Sequence, residues 1–322
     1  MTLTRRELLT GAGTLGTLTV LPASAWGQDA GAAAFPVTIE HIYGTTVIPE
    51  EPVRVVAAGF NDSDYALAFG LVPVGVRDFI GPFPEETRPW AQAALGGAEP
   101  VKVSGPDGEL NFERVAVLRP DLILAYSYLD EAEYETLAQI APTLVETEDG
   151  ALWQRHTLDT GRALGQPERA RELVAEAAAQ FVRAIEEHPE FEGTVAAIQF
   201  GDAETGFFLL EPTDPRFGFF ASLGFEAPEQ TGEVSRERVD LLDQGGVLIV
   251  FGATREAFAD EPLFQGLAAV REGRVAYLGG FETEFAGAVG FDSPLSLPYA
   301  LDLAVPVLAA ALDGDPSTST PT

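Results

Sequence analysis

From residue 35 onward the chain alternates short apolar runs with stretches of helical spacing. Val53-Arg54-Val55-Val56-Ala57-Ala58 is rich in β-branched residues, ends at Gly59, and predicts a strand. Residues 65–70 predict a helix, and Val72-Pro73-Val74-Gly75-Val76 the next strand. Residues 111–118 predict a short helix feeding the apolar strand Leu122-Ile123-Leu124-Ala125. Runs that are apolar throughout, with helices between them, belong to strands buried on both faces, the pattern of a parallel sheet. The longest helical signal spans 167–188. Ala170, Leu173, Val174, Ala177, Phe181 and Ile185 recur at helical spacing, Pro167 suits a first helical position, and Pro189 forces an end.

The pattern then begins again. Thr194-Val195-Ala196-Ala197-Ile198 opens a second strand series, and residues 219–224 parallel the helix that ends at Gly70. Asn111-Phe112-Glu113-Arg114-Val115 is echoed by Ser235-Arg236-Glu237-Arg238-Val239. Each copy offers an N-cap side chain, a glutamate at the second helical position, and a buried strand afterwards (122–125 and 247–251). The expected fold is α/β: two Rossmann-like lobes with mainly parallel sheets, joined by a long rigid helix. The lobes are expected at 35–165 and 190–312, the helix at 166–189, and a disordered tail at 313–322.

Composition narrows the function. Fifty acidic residues against 19 basic give a net charge of −31, which excludes nucleic acid as a partner because phosphates need Lys and Arg. There is no cysteine, so disulfides, zinc–thiolate sites, iron–sulfur clusters and a lipid anchor on an N-terminal cysteine are excluded. Arg5-Arg6, a weakly apolar stretch to Leu21 and Ala23-Ser24-Ala25 follow the order of a twin-arginine signal, expected to be cut after Ala25. The expected product is a soluble protein outside the cytoplasm, without a lipid anchor. Gly11-Ala12-Gly13-Thr14-Leu15-Gly16 matches the dinucleotide fingerprint but lies inside that signal, without the strand it needs before it.

Five blocks now carry a resemblance: residues 52–56, 66–76, 110–123, 137–143 and 267–275. In this order they resemble the class III solute-binding proteins of ABC importers, the ferric-siderophore, haem and cobalamin binders. The resemblance implies an extracytoplasmic binder that captures an iron(III)–siderophore between two lobes and delivers it to a permease dimer. It also implies that Glu113 and Glu237, as the matching residues, dock the lobes on the permease. Haem or cobalamin is the alternative ligand within this class.

Open α/β sheets bind ligands beyond the carboxyl ends of their strands. That rule selects Phe60, Asn61, Arg77, Trp90, Tyr126, Tyr128, Arg216, Phe217, Phe251 and Arg255, with Phe200 and Phe281 beside them. Aromatic rings cover the body of a bulky chelate, and guanidinium groups bind its oxygens. The overall charge suits a neutral or cationic chelate better than a strongly anionic one. Val103-Ser104 and Glu229-Gln230 stand where ferric-hydroxamate binders of the resembling family carry an arginine and a tryptophan. His41, His156 and His188 sit at unrelated spacings, so no direct metal site is expected. No P-loop, nucleophile elbow, zincin helix or cysteine nucleophile is present, so an exported enzyme is the weaker reading. No cofactor is expected, and the protein is expected to be a monomer.

Overall fold

The computed structural model describes residues 35–78, 88–105, 108–127, 129–147, 153–202, 206–290, 292–315 and 318. The chain forms two compact units. The first comprises, among described residues, 35–177 and 292–298; the second comprises 178–290 and 299–315 with residue 318. Residues 292–298 return to the first unit, because Ser293 Oγ donates to buried Asp64 (2.9 Å) and the Asp292 carbonyl accepts from Asn61 and Tyr65.

In the first unit a hairpin of β1 (Val37–His41) and β2 (Gly44–Ile48) precedes the sheet. Next come β3 (Val55–Ala57), α1 (Asp62–Ala68), β4 (Gly75–Val76), α2 (Pro89–Leu95), β5 (Val101–Lys102) and α3 (Phe112–Val117). The unit continues with β6 (Leu122–Leu124), α4 (Glu131–Ala138), β7 (Thr143–Leu144) and α5 (Trp153–Ala163). The sheet runs β5-β4-β3-β6-β7 and every pair in it is parallel. The strands are short, and β3, β6 and β7 are buried along their length, as the unbroken apolar runs require. From β3 the order advances outward in both directions, so the switch point lies between β3 and β6.

Helix α6 (Pro167–Glu187) begins at its proline and ends one residue before His188, with a 3₁₀ turn at Pro189–Phe191. Its 21 residues span about 31 Å at 1.5 Å each. Ala170, Leu173, Val174, Ala177 and Phe181 are buried, the stripe the spacing marks. The unit boundary falls inside this helix, between Ala177 and Ala178.

The second unit contains β8 (Ala196–Phe200), β9 (Phe207–Leu209), α7 (Phe217–Ser222), β10 (Gly232–Val234) and β11 (Val247–Gly252). It continues with α8 (Pro262–Gln265), α9 (Ala268–Arg271), β12 (Val275–Gly280), α10 (Glu284–Gly290) and most of α11 (Ser296–Leu312). The sheet order is β10-β9-β8-β11-β12. β8, β11 and β12 are parallel, whereas β9 and β10 are antiparallel. This switch point lies between β8 and β11, and Gly201 N–H donates to the Phe251 carbonyl (2.9 Å) there.

The echoed helix starts diverge in structure. Asn111 caps α3 by accepting from Arg114 N–H (2.9 Å). Ser235 caps nothing, and residues Arg236–Asp243 form a 3₁₀ run that breaks at Arg238 (φ −116°, ψ 25°). The Glu237 backbone amide and the Ser235 side chain together hold the Glu237 carboxyl below the ordinary carboxylate value. Among the described residues no helix is long and apolar enough to cross a membrane.

Candidate functional site

In the first unit the carboxyl end of β3 continues through Ala58-Gly59-Phe60-Asn61 into α1. The Asp62 carboxylate organises this loop. Its Oδ2 accepts from Gly59 N–H (2.7 Å) and from Tyr126 N–H beyond β6 (3.1 Å), tying the two strand ends together. A Cβ at Gly59 would lie 2.4 Å from that oxygen, so the close approach requires glycine. Asp62 is fully buried, and burial raises its pKa to about 7 against the lowering effect of the two amides and Arg77. Phe60 N–H donates to Ser127 Oγ (3.2 Å), completing the lacing across the switch point.

Arg77 follows β4 directly, and its guanidinium carbon lies 4.3 Å from the centre of the Phe60 ring. Its Nε donates to the Gly108 carbonyl (3.0 Å). Nη1 is buried with no hydrogen-bond partner among the described residues. Burial lowers the Arg77 pKa, although a guanidinium remains charged.

The rim of the second unit repeats this motif. Phe200 ends β8, and the Arg216 guanidinium carbon lies 4.0 Å from its ring centre. Asp214 holds that guanidinium from one side: Nε and Nη2 donate to its two oxygens at 2.7 and 2.5 Å, and Arg216 N–H donates as well (2.9 Å). These contacts hold the Asp214 pKa below the ordinary carboxylate value despite the opposing effect of burial. Phe200, Phe251, Phe281 and Phe285 form one aromatic group, with neighbouring centroids 5.0–6.2 Å apart. Phe281 is 51% exposed and Phe200 half-buried while Phe251 and Phe285 are buried, so this group opens to solvent chiefly at Phe281.

The expected site residues therefore divide. Phe60 and Arg77 come together at one sheet end, both buried, and Phe251 and Arg216 come together with Phe200 and the exposed Phe281 at the other. Asn61 is turned inward, its Nδ2 donating to the Asp292 carbonyl (3.2 Å). Trp90 and Tyr126 are both turned inward. Trp90 is buried with Nε1 donating to Asp64 Oδ2 (2.8 Å). Tyr126 is buried, stacked on His156 (centroids 4.1 Å apart), with its hydroxyl bonded to Thr160 (2.9 Å). Phe217 packs into the interior of its unit, and Arg255 lies over Tyr277 rather than Phe200. Tyr128 lies outside the described residues, as does most of the loop between Arg77 and Trp90.

Sequence reasoning missed Asp62 and Asp214. The signals were present: Asp62 follows Gly59 by three residues, and Asp214-Pro215 marks a turn immediately before Arg216. Glu113, in the first turn of α3, and Glu237 are both exposed. Among the described residues no cluster of His and carboxylates could hold a metal ion directly.

A family model described as "Periplasmic binding protein" matches residues 61–280, which begins at the Asp62 loop and ends with β12. The chain belongs to this family. Its members are substrate-binding proteins rather than enzymes. Among relatives, YfiY of Bacillus subtilis (strain 168), described as a probable siderophore-binding lipoprotein, is 28% identical over 211 residues. That match covers 63% of this chain and 61% of YfiY, so it spans less than two thirds of that relative. The Fe(3+) dicitrate-binding periplasmic protein FecB of Escherichia coli (strain K12) is 26% identical over 260 residues, 76% of this chain and 82% of FecB. Among solved structures, a periplasmic solute-binding protein from Mycobacterium smegmatis superposes with a TM-score of 0.75 and 33% identity. That superposition covers 86% of this chain and 98% of the other. PiaA of Streptococcus pneumoniae in complex with ferrichrome superposes with a TM-score of 0.73 and 27% identity, over 87% of this chain and 99% of PiaA.

Proposed function

We propose that this chain is the extracytoplasmic binding component of an ABC importer and captures a ferric siderophore-type chelate for delivery to the permease. The observation that carries the reading is the repeated rim: an arginine stacked on a phenylalanine beside the switch point of each sheet (Arg77 on Phe60, Arg216 on Phe200). An iron(III) chelate presents an oxygen-rich, partly apolar surface, which rings can cover and guanidinium N–H groups can bind. YfiY, FecB and the ferrichrome complex of PiaA support the same ligand class. In this reading residues 1–25 direct export by the twin-arginine route, and Glu113 and Glu237 dock the protein on the permease dimer.

The test is quenching of intrinsic fluorescence by a panel of ferric chelates, with a Phe281→Ala variant alongside. At least one chelate is expected to saturate the protein at one equivalent. Truncating the exposed Phe281 is expected to weaken that binding about tenfold, the scale of a well-placed aromatic contact (~1.4 kcal/mol). Failure of every chelate to saturate the protein contradicts the proposal.

A further inference from the structure

The two rims carry the same cation–aromatic motif but not the same charge. Arg77 has no carboxylate hydrogen-bonded to it among the described residues; its Nε is taken by a carbonyl and its Nη1 is unpartnered. Arg216 is different. Both oxygens of Asp214 accept from its Nε and Nη2, which form one edge of the guanidinium in the bidentate geometry suited to a carboxylate. The third bond, from Arg216 N–H to Asp214 Oδ1, makes this pair a rigid local unit, closed across Pro215 and resting on the Phe200 ring. Asp214 is ionised at neutral pH, because the same bonds hold its pKa below the ordinary carboxylate value. The arginine therefore presents its planar face and remaining N–H groups, while its positive charge is already balanced. The net charge of the chain is −31, so little positive charge is left over at this rim to hold an anion.

From this geometry we infer that Asp214 is a specificity-determining residue that selects ferric chelates of zero or positive net charge by balancing the Arg216 charge and occupying one edge of its fork. This rests on the binding role proposed above and names the chemical class within it. A chelate that is coordinatively complete and near neutral needs only the ring and a few N–H donors. A polyanionic chelate needs free guanidinium groups to replace its hydration, and meets repulsion from the acidic protein as it approaches.

The test uses the full chain and four chelates graded by charge: ferrioxamine B (cationic), ferrichrome (neutral), ferric dicitrate (anionic) and ferric enterobactin (strongly anionic). The wild type is expected to bind the better of the first two at least tenfold more tightly than either of the last two. Asp214→Asn, which frees the fork while keeping a side-chain carbonyl beside it, is expected to shrink that ratio about tenfold or more. A companion measurement needs no variant. Raising salt from 20 to 500 mM screens long-range repulsion, so wild-type affinity for the anionic chelates is expected to rise while that for ferrichrome stays constant. Preference of the wild type for an anionic chelate overturns the inference and leaves the binding role standing. So does a ratio that Asp214→Asn leaves unchanged, or an anion affinity that falls with salt. Failure of all four to bind overturns the binding role and this inference with it.

Discussion

Asp64 and Arg88 form an ion pair, 3.1 Å apart, with neither side chain exposed. Asp64 also accepts from Trp90 Nε1 and from Ser293 Oγ, so one carboxylate joins α1, α2 and the returning segment 292–298. Charges removed from water are tolerated only when they are matched, and removing one partner typically costs about 3–5 kcal/mol. Asp64→Ala is expected to lose stability on that scale in urea unfolding, whereas Asp64→Leu combined with Arg88→Met loses clearly less. Asp62 behaves differently, because burial raises its pKa from an ordinary 3.8 to about 7. Besides its two amide donors it is influenced by Arg77, which favours the ionised form, and by Glu146, which opposes it. A carboxyl whose folded pKa is raised stabilises the fold in its protonated form. That contribution is present below about pH 4 and is lost as pH rises through about 7. At about 1.4 kcal/mol per pKa unit, the loss across this window is on the order of 4 kcal/mol. Asp62→Asn is therefore expected to flatten the dependence of the melting temperature on pH between 4.5 and 7.5 relative to wild type. Parallel curves for the two proteins show that Asp62 titrates normally.

At the scale of elements, the β11–β12 pairing shifts register between Val250 and Gly252, and this irregularity helps to aim the second rim. Gly252 has φ +90°, and a Cβ there would lie 2.3 Å from the Phe281 ring. Gly252→Ala is expected to displace Phe281 and weaken chelate binding about as much as Phe281→Ala, with a stability loss of about 1 kcal/mol or more from the positive φ. Chelate titration and thermal unfolding of the two variants check this. The sequence makes such elements legible to different degrees. Helix α6 and the buried strands β3, β6 and β11 were readable because apolar spacing and flanking prolines report local geometry. β9 and β10 were not, since three-residue antiparallel strands leave almost no periodicity. The return of residues 292–298 was also hidden, because only the distant Asp64, Asn61 and Tyr65 define it. Phe60, Arg77 and Phe251 lie at or just past the ends of β3, β4 and β11, where the sheet rule looks, whereas Arg216 lies at the start of α7. Tyr126 is turned inward, and a polar hydroxyl after a strand does not reveal that Thr160 and His156 enclose it.

Across the whole chain, two α/β units of similar plan each carry a rim motif and an exposed glutamate, Glu113 or Glu237. Exposed ion pairs contribute only about 0–1 kcal/mol each, so in the proposed docking these glutamates would set register on a permease while a wider surface supplies affinity. Glu113→Arg combined with Glu237→Arg is expected to abolish chelate uptake by cells and leave chelate affinity of the purified protein unchanged. Loss of affinity in that variant contradicts the docking assignment. The central claim, that this chain captures a ferric chelate, is tested most directly by native mass spectrometry of the protein purified from iron-starved host cells. The account predicts one added mass per chain, equal to an iron(III)–siderophore and removed when the protein is unfolded. Protein that carries no added mass, and gains none when ferric chelates are supplied, contradicts it.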